Sequence, residues 1–323
     1  MKVLVTGGAG YIGSVTSRAL IDGGHTLTVL DDLTTGHADA VAPEARFVEG
    51  SVSDAQALRE ALSEGVDACV HFAARIEAGE SMRSPERFFS ANTAGSLRLL
   101  EGLVEAGVGR FVFSSTAAIY GEPRTTPIGE DHPLQPTNTY GESKLLVERA
   151  LPWLHRLRGL RYAVLRYFNA SGATEELGER HDPETHLIPL VLAAAVGAAP
   201  EALIYGDDYP TRDGTCVRDY VHVADLASAH VRALDALRDH ATITCNLGNG
   251  RGFTVHEVIE ACRRVTGADI RVRVVPRRPG DPPELLSSAR RAQQLLKWEP
   301  TIPDLEDIVA SAWRWSTRTG RHP

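Results

Sequence analysis

Tyr140 and Lys144 bracket the run Tyr140-Gly141-Glu142-Ser143-Lys144 at the head of a helical pattern. Residues four apart share one helix face. An ammonium beside a phenol favours the phenolate. The Tyr140 pKa is therefore expected to fall from about 10 toward neutrality. That suits a general base for an alcohol proton. Thr116 closes the apolar run Phe111-Val112-Phe113-Ser114-Ser115-Thr116 and offers a second hydroxyl for the same alcohol. Alone, such a pair is common and could be an inert surface contact. Its weight depends on what stands near it.

A glycine-rich run precedes it, Thr6-Gly7-Gly8-Ala9-Gly10-Tyr11-Ile12-Gly13. It follows the apolar run 2–6 and opens a helical pattern. Glycine allows the tight turn, close approach of a pyrophosphate and packing of helix on strand. The helix N-terminus would turn its free N–H groups and dipole toward the phosphates. The second apolar run ends in Asp31-Asp32, about 20 residues on, where a carboxylate can accept from adenosine ribose hydroxyls. A carboxylate there repels a 2′-phosphate, so NAD is expected rather than NADP. Asp31, nearer the strand end, is the better candidate; both could instead be turn formers.

These residues need a frame. Apolar runs at 2–6, 26–30, 46–48, 67–72, 110–114 and 161–166 alternate with amphipathic stretches at 11–22, 54–64, 86–107 and 140–157. Such alternation predicts α/β architecture, a doubly wound parallel sheet with ligands at its strand C-termini. After about residue 170, loops at 172–186, 206–219 and 276–284 separate shorter helical patterns. We expect residues 1–170 to bind NAD. Residues 171–323 are expected to form a smaller substrate domain, with strands near 221 and 243–247 returning to the main sheet. Pro276, Pro279, Pro282 and Pro283 are expected to stiffen their loop.

Composition narrows the classes. Lys plus Arg is 34 against 42 Asp plus Glu, a formal charge of −8. That argues against nucleic acid or an anionic membrane as partner. No apolar run is long enough to span a membrane, and no secretory signal is read. Cys69, Cys216, Cys245 and Cys262 form no CxxC, so reduced thiols and a cytoplasmic setting are expected. The histidines show no HxxxH or HExxH, and no metal is expected.

With these motifs in place, the chain resembles the extended short-chain dehydrogenase/reductases, and within them the UDP-hexose 4-epimerases. The likeness is carried by residues 6–13, 30–33, 71–74, 79–81, 113–121, 140–144, 165–173, 204–227 and 246–250. It implies an NAD-dependent isomerase acting on UDP-galactose and UDP-glucose. Tyr140 takes the O4 proton, hydride leaves C4, and the transient 4-keto sugar is reduced on its opposite face. It further implies that Lys144 lowers the Tyr140 pKa and that Thr116 assists. NAD contacts would run through Gly7, Gly10, Tyr11, Ile12 and Gly13, then Asp31, Asp32, Leu33, Thr34, Thr35 and Gly36. Ser51, Val52, Phe72, Ala73, Ala74 and Phe168 would complete them, with Thr116, Tyr140 and Lys144. The UDP-sugar would meet Asn169, His186, Leu187, Tyr205, Arg218, Arg278, Asp281 and Leu285. Arginine suits a diphosphate because its fork is planar and always charged. A homodimer through 86–107 and 140–157 is implied as well.

Departures from the pattern stand at Ser51, Ile76, Ala91, His186 and Leu285. Leu285 occupies a position where a bulky Tyr limits some members, so N-acetylhexosamines are expected to fit too. A UDP-glucuronate or UDP-pentose 4-epimerase remains an alternative. A 4,6-dehydratase is disfavoured, because Ala117-Ala118 replaces the acids that elimination needs.

Overall fold

Val3 and Val5 pack into one face of the first strand and Leu4 into the other, and all three are buried. A strand covered on both faces belongs inside a sheet with helices on each side. A computed structural model of the chain, describing residues 1–278 and 281–320, has this architecture. Pro279 lies outside the described residues.

The first half supplies β1 (Lys2–Thr6), β2 (Thr26–Asp31), β3 (Arg46–Glu49), β4 (Ala68–His71), β5 (Arg110–Thr116) and β6 (Arg161–Tyr167). The second supplies β7 (Asn169–Ser171), β8 (Ala202–Tyr205), β9 (Val217–His222), β10 (Thr242–Leu247), β11 (Gly252–Thr254), β12 (Val272–Val275) and β13 (Glu284–Leu285). Seven strands form one parallel sheet in the order β10-β6-β5-β4-β1-β2-β3. The order reverses at β1, and the crevice beside such a reversal is where open α/β sheets take ligands.

Helices α1 (Tyr11–Asp22) and α2 (Ala55–Leu62) precede two single turns, α3 (Ala78–Ser81) and α4 (Pro85–Phe88). Then come α5 (Gly95–Glu105), α6 (Thr139–Arg158), α7 (Leu187–Ala195), α8 (Val223–Ala236), α9 (Val255–Thr266), α10 (Arg290–Leu296) and α11 (Leu305–Thr319). Leu20 of α1, with Leu226 and Leu234 of α8, packs against Val3, Val5 and Leu165 on one face. Leu58, Leu99, Leu103, Val147 and Leu151 cover the other face against Leu4, Phe111 and Phe113. Full burial of each such side chain contributes about 1.5–3 kcal/mol.

Two expectations are refined. The run 86–107 is not one regular helix: a π-helical segment, Phe89–Ala94, separates α4 from α5. It carries Asn92 inward, where its amide bonds Arg75 N at 2.8 Å, Arg75 O at 2.9 Å and Ser143 Oγ at 3.0 Å. The run 243–247 joins the main sheet as β10, but β9 does not. β9 instead centres a small sheet with β7, β11 and β13, while β8 pairs with β12. A separate apolar cluster lies among α7, α9 and α11, with Ile188, Val191, Ile259, Ile308 and Val309 at its centre.

Candidate active site

The turn between β1 and α1 is set by close backbone approaches. Gly7 has φ +72, and a Cβ on it would come within 2.5 Å of Ala73 N. A Cβ on Gly13 would come within 2.0 Å of the Gly7 carbonyl, so the helix can sit there only with glycine. Gly10 differs: its backbone is extended (φ −81, ψ 174), and a Cβ would meet only Gly7 O at 3.4 Å. Glycine at 10 therefore keeps space open rather than allowing a conformation. Gly10 is the N-cap of α1 and provides no side-chain cap, so the helix start presents its backbone N–H groups to the cavity.

That cavity, about 360 Å³, runs along the C-terminal ends of the strands. Gly7, Gly10, Tyr11, Ile12 and Gly13 line it, followed by Asp31, Asp32, Thr34, Thr35 and Gly36. Ser51, Val52, Phe72, Ala73, Ala74 and Phe168 continue the wall to Thr116 and Tyr140. Asp31 is buried; its carboxylate accepts from Ala9 N at 2.9 Å and Leu33 N at 2.9 Å. Burial raises its pKa, with those two bonds opposing. Asp32 accepts from Thr34 N at 3.0 Å. The donor set and the Gly10 space fit a dinucleotide pyrophosphate and ribose.

Lys144, also expected to contact NAD, does not line this cavity, and neither does Leu33. Leu33 takes φ +56 and serves the turn by donating its N–H to Asp31. Ala91 lines the cavity while Asn92 is turned away into its buried clamp, so Asn92 does not replace the amide that Ala91 lacks.

A second cavity, about 410 Å³, adjoins the first. Asn169, His186, Leu187, Tyr205, Arg218, Arg278 and Asp281 line it; Tyr11, Asn169, Ala170, Glu179 and His186 line both. Asn169 is fixed by its amide donating to Asp219 O at 2.9 Å. Arg218 donates to Val217 O and Pro282 O, each at 2.9 Å, and lies 3.5 Å from Asp281. The Arg278 guanidinium stacks 3.8 Å from the Tyr205 ring centroid. Leu285 packs with Phe168 and Leu134 against the cluster of Ala117, Ile119, Tyr120, Ile128 and Leu145, rather than lining the second cavity.

The register of β5 with β6 sets Thr116 beside Tyr167. Asn138 caps α6 by accepting from Gly141 N at 2.8 Å, which holds the first turn carrying Tyr140. The expected depression of the Tyr140 pKa is corrected here. Burial pushes the phenol up to about 12; the Thr116 hydrogen bond opposes this and the Glu77 carboxylate adds to it. Tyr140 itself is half-buried on the cavity wall, whereas Lys144 is buried, and burial pulls its ammonium down to about 7, with Glu148 opposing. Its Nζ donates to Ser114 O at 2.9 Å, directing its charge into β5. Helical spacing places the two residues four apart on α6, but desolvation of the charged form is the largest influence on each.

Residues missed by motif reasoning also stand here. Glu77, Glu179 and His181 line the cofactor cavity. Glu179, His181 and His186 place potential metal-ligating atoms within 4.8 Å of one another. The spacing E-x-H-x₄-H matches neither histidine motif, so the absence of those motifs was no guide to this loop.

Fold and site together define a nucleotide-dependent Rossmann-type enzyme, and the chain belongs to the NAD dependent epimerase/dehydratase family, whose model matches residues 3–248. A UDP-glucose 4-epimerase of Halalkalibacterium halodurans is 48% identical, over 98% of this chain and 95% of the relative. A solved UDP-glucose 4-epimerase superposes with TM-score 0.97 at 44% identity, covering 100% of this chain and 99% of its own. The Brucella ovis UDP-glucose 4-epimerase, solved in complex with NAD, matches with TM-score 0.94 at 43% identity over 97% of each chain.

Gly10→Val should fold with an unfolding temperature within a few degrees of the parent. It should lose at least about tenfold in retained NAD, or ~1.4 kcal/mol. NAD released per chain on denaturation measures this. Full NAD content would remove Gly10 from the pyrophosphate site.

Proposed function

We propose that this protein is an NAD-dependent UDP-hexose 4-epimerase, interconverting UDP-galactose and UDP-glucose through a transient 4-keto sugar. The observation that carries this reading is the junction of the two cavities. Tyr140 and Thr116 line the glycine-loop cavity, which shares Asn169 with the cavity holding Arg218, Arg278 and Asp281. A sugar hydroxyl at the junction reaches a phenol while its diphosphate lies on arginine. NAD, when bound, supplies the hydride acceptor and donor and a positive nicotinamide ring. Tyr140 holds and moves the O4 proton, with Thr116 donating to its oxygen. Lys144 keeps a positive charge available on the same helix face. With its phenol up near 12, Tyr140 favours its protonated form until a nearby positive charge shifts it. In this reading the segment after residue 170 grips the UDP and leaves the hexose free to present either face.

We extend the reading to N-acetylhexosamine as a second substrate class on the resemblance at position 285, where leucine is smaller than the tyrosine of some members; Leu285 itself packs against the Ile119 and Tyr120 cluster and lines neither cavity. Homodimerisation is part of the same reading. Among the described residues, five of seven exposed large apolar side chains, Met82, Phe89, Leu97, Trp153 and Leu157, lie along α3 to α6. Sedimentation equilibrium should give two chains, and a monomer at micromolar concentration would remove this element. Four buried free thiols suit a reducing compartment such as the cytoplasm. No helix among the described residues is long and apolar enough to cross a membrane.

The direct test follows UDP-glucose formed from UDP-galactose in a coupled dehydrogenase assay, repeated with UDP-GlcNAc, UDP-glucuronate and UDP-arabinose. Turnover of none would falsify the reading. Tyr140→Phe should cut kcat by at least about 10²-fold while NAD content is unchanged. In Leu285→Tyr, kcat/KM for UDP-GlcNAc should drop about tenfold, near 1.4 kcal/mol, with UDP-galactose turnover retained. Equal losses for both substrates would show that Leu285 does not select the N-acetyl group.

A further inference from the structure

The loop between β7 and α7 carries a polar cluster that the epimerisation chemistry does not use. Glu179, His181 and His186 bring one ligand-type atom each within 4.8 Å of the others. Glu179 and His181 are largely withdrawn from solvent, with side-chain exposures of 10% and 17%, while His186, at 38%, reaches the surface of the cleft. His181 Nδ1 is shielded from solvent and touches Glu179 Oε1, yet it makes no aligned hydrogen bond. A fourth residue, Glu184, is 4% exposed and holds His186 Nδ1 at 2.7 Å. Metal-bound imidazoles commonly have their other ring nitrogen held by a carboxylate in this way.

The charge arrangement is unusual for a cleft that admits diphosphates. Two nearly buried carboxylates, Glu179 and Glu184, have no Lys or Arg within 4.0 Å among the described residues; their close partners are the two imidazoles and backbone N–H groups. Arg180, between them in sequence, turns away to Asp39 at 2.7 Å. Buried charge is normally paired or bound to metal. One divalent ion would offset both carboxylates and the phosphates beside them.

We propose that Glu179, His181 and His186 bind one divalent ion of the zinc class, whose fourth position opens onto the cleft. Two imidazoles and a carboxylate select zinc, cobalt or nickel over magnesium or calcium. Three protein ligands with an open fourth position form a common zinc geometry. Tetrahedral bonds of about 2.0–2.1 Å place ligand atoms on the order of 3.4 Å apart, a spacing reached by small side-chain rotations. Glu179 and His186 line both cavities and His181 lines the cofactor cavity, so the fourth position faces water or a phosphate oxygen. The ion ties the 172–186 loop to a bound nucleotide; it polarises nothing at C4. The phosphate contact rests on the proposed function, whereas metal binding does not.

Tag-free, chelator-treated protein titrated with Co²⁺ tests this without substrate. We expect one equivalent per chain and visible d–d bands of tetrahedral intensity, displaced by one equivalent of Zn²⁺. Glu179→Gln and His181→Asn should each weaken binding by roughly 100-fold, with far-UV circular dichroism and an unchanged unfolding temperature showing that the chain folds. Absence of tetrahedral bands in the unsubstituted protein overturns the site, whatever the variants do. Bands that persist with equal affinity in His181→Asn assign the metal elsewhere and overturn it equally. Added UDP should shift the bands of the Co²⁺ protein; no shift overturns the phosphate contact alone. Epimerase activity is read separately, so its failure is distinguishable from failure of the metal site.

Discussion

The packing of Gly13 on the Gly7 carbonyl, and of Gly7 on the backbone of Ala73, governs the rest of the structure. A Cβ would fall 2.0 Å from its neighbour at Gly13 and 2.5 Å at Gly7. These approaches bring the start of α1 down onto the crevice where the strand order reverses. The uncapped helix start then faces the cofactor cavity, and Asp31 is pulled in to accept from Ala9. The same β4 end that presses on Gly7 continues into Phe72, Ala73 and Ala74, the wall leading to Thr116 and Tyr140. One steric constraint thus aligns the glycine-loop end of the cavity with the end where the candidate chemical residues Thr116 and Tyr140 stand.

Desolvation is the dominant electrostatic influence at that chemical end. Tyr140 is pushed up and Lys144 down, although each would favour the other's charge. Lys144 is buried, while Tyr140 is half-buried on the cavity wall. The protein thereby holds a neutral phenol and a readily neutralised ammonium in reserve. The buried Glu148–Arg166 pair below them, with Ser115 and Tyr120 bonded to its members, fixes the floor of this region.

Much of the site was legible because it rests on local spacing. The glycines at 7, 10 and 13, the acid after β2 and the Tyr140/Lys144 spacing each require only adjacent elements. The missed features need distant parts of the chain. β13 has two residues and exists by pairing with β9, and β7 with three residues pairs with the same strand. Asn92 is hidden in a π-helical segment because its partners, Arg75 and Ser143, come from other elements. Leu33 reads as part of a cofactor motif, yet its backbone belongs to the turn.

By itself the sequence determined the α/β order, the cofactor class and the family, and it singled out the candidate catalytic residue types. Each follows from periodicity or from residues whose chemistry acts within one or two turns. Tertiary structure alone decided which groups are dry, which charges meet and which loops share a cavity. It reversed the direction expected for Tyr140, because burial depends on everything packed around a side chain. It also assembled Glu179, His181, Glu184 and His186 from a loop without a recognised motif. Local spacing specifies what a residue can do; the dielectric around it, which only the folded chain creates, specifies in which state it does so.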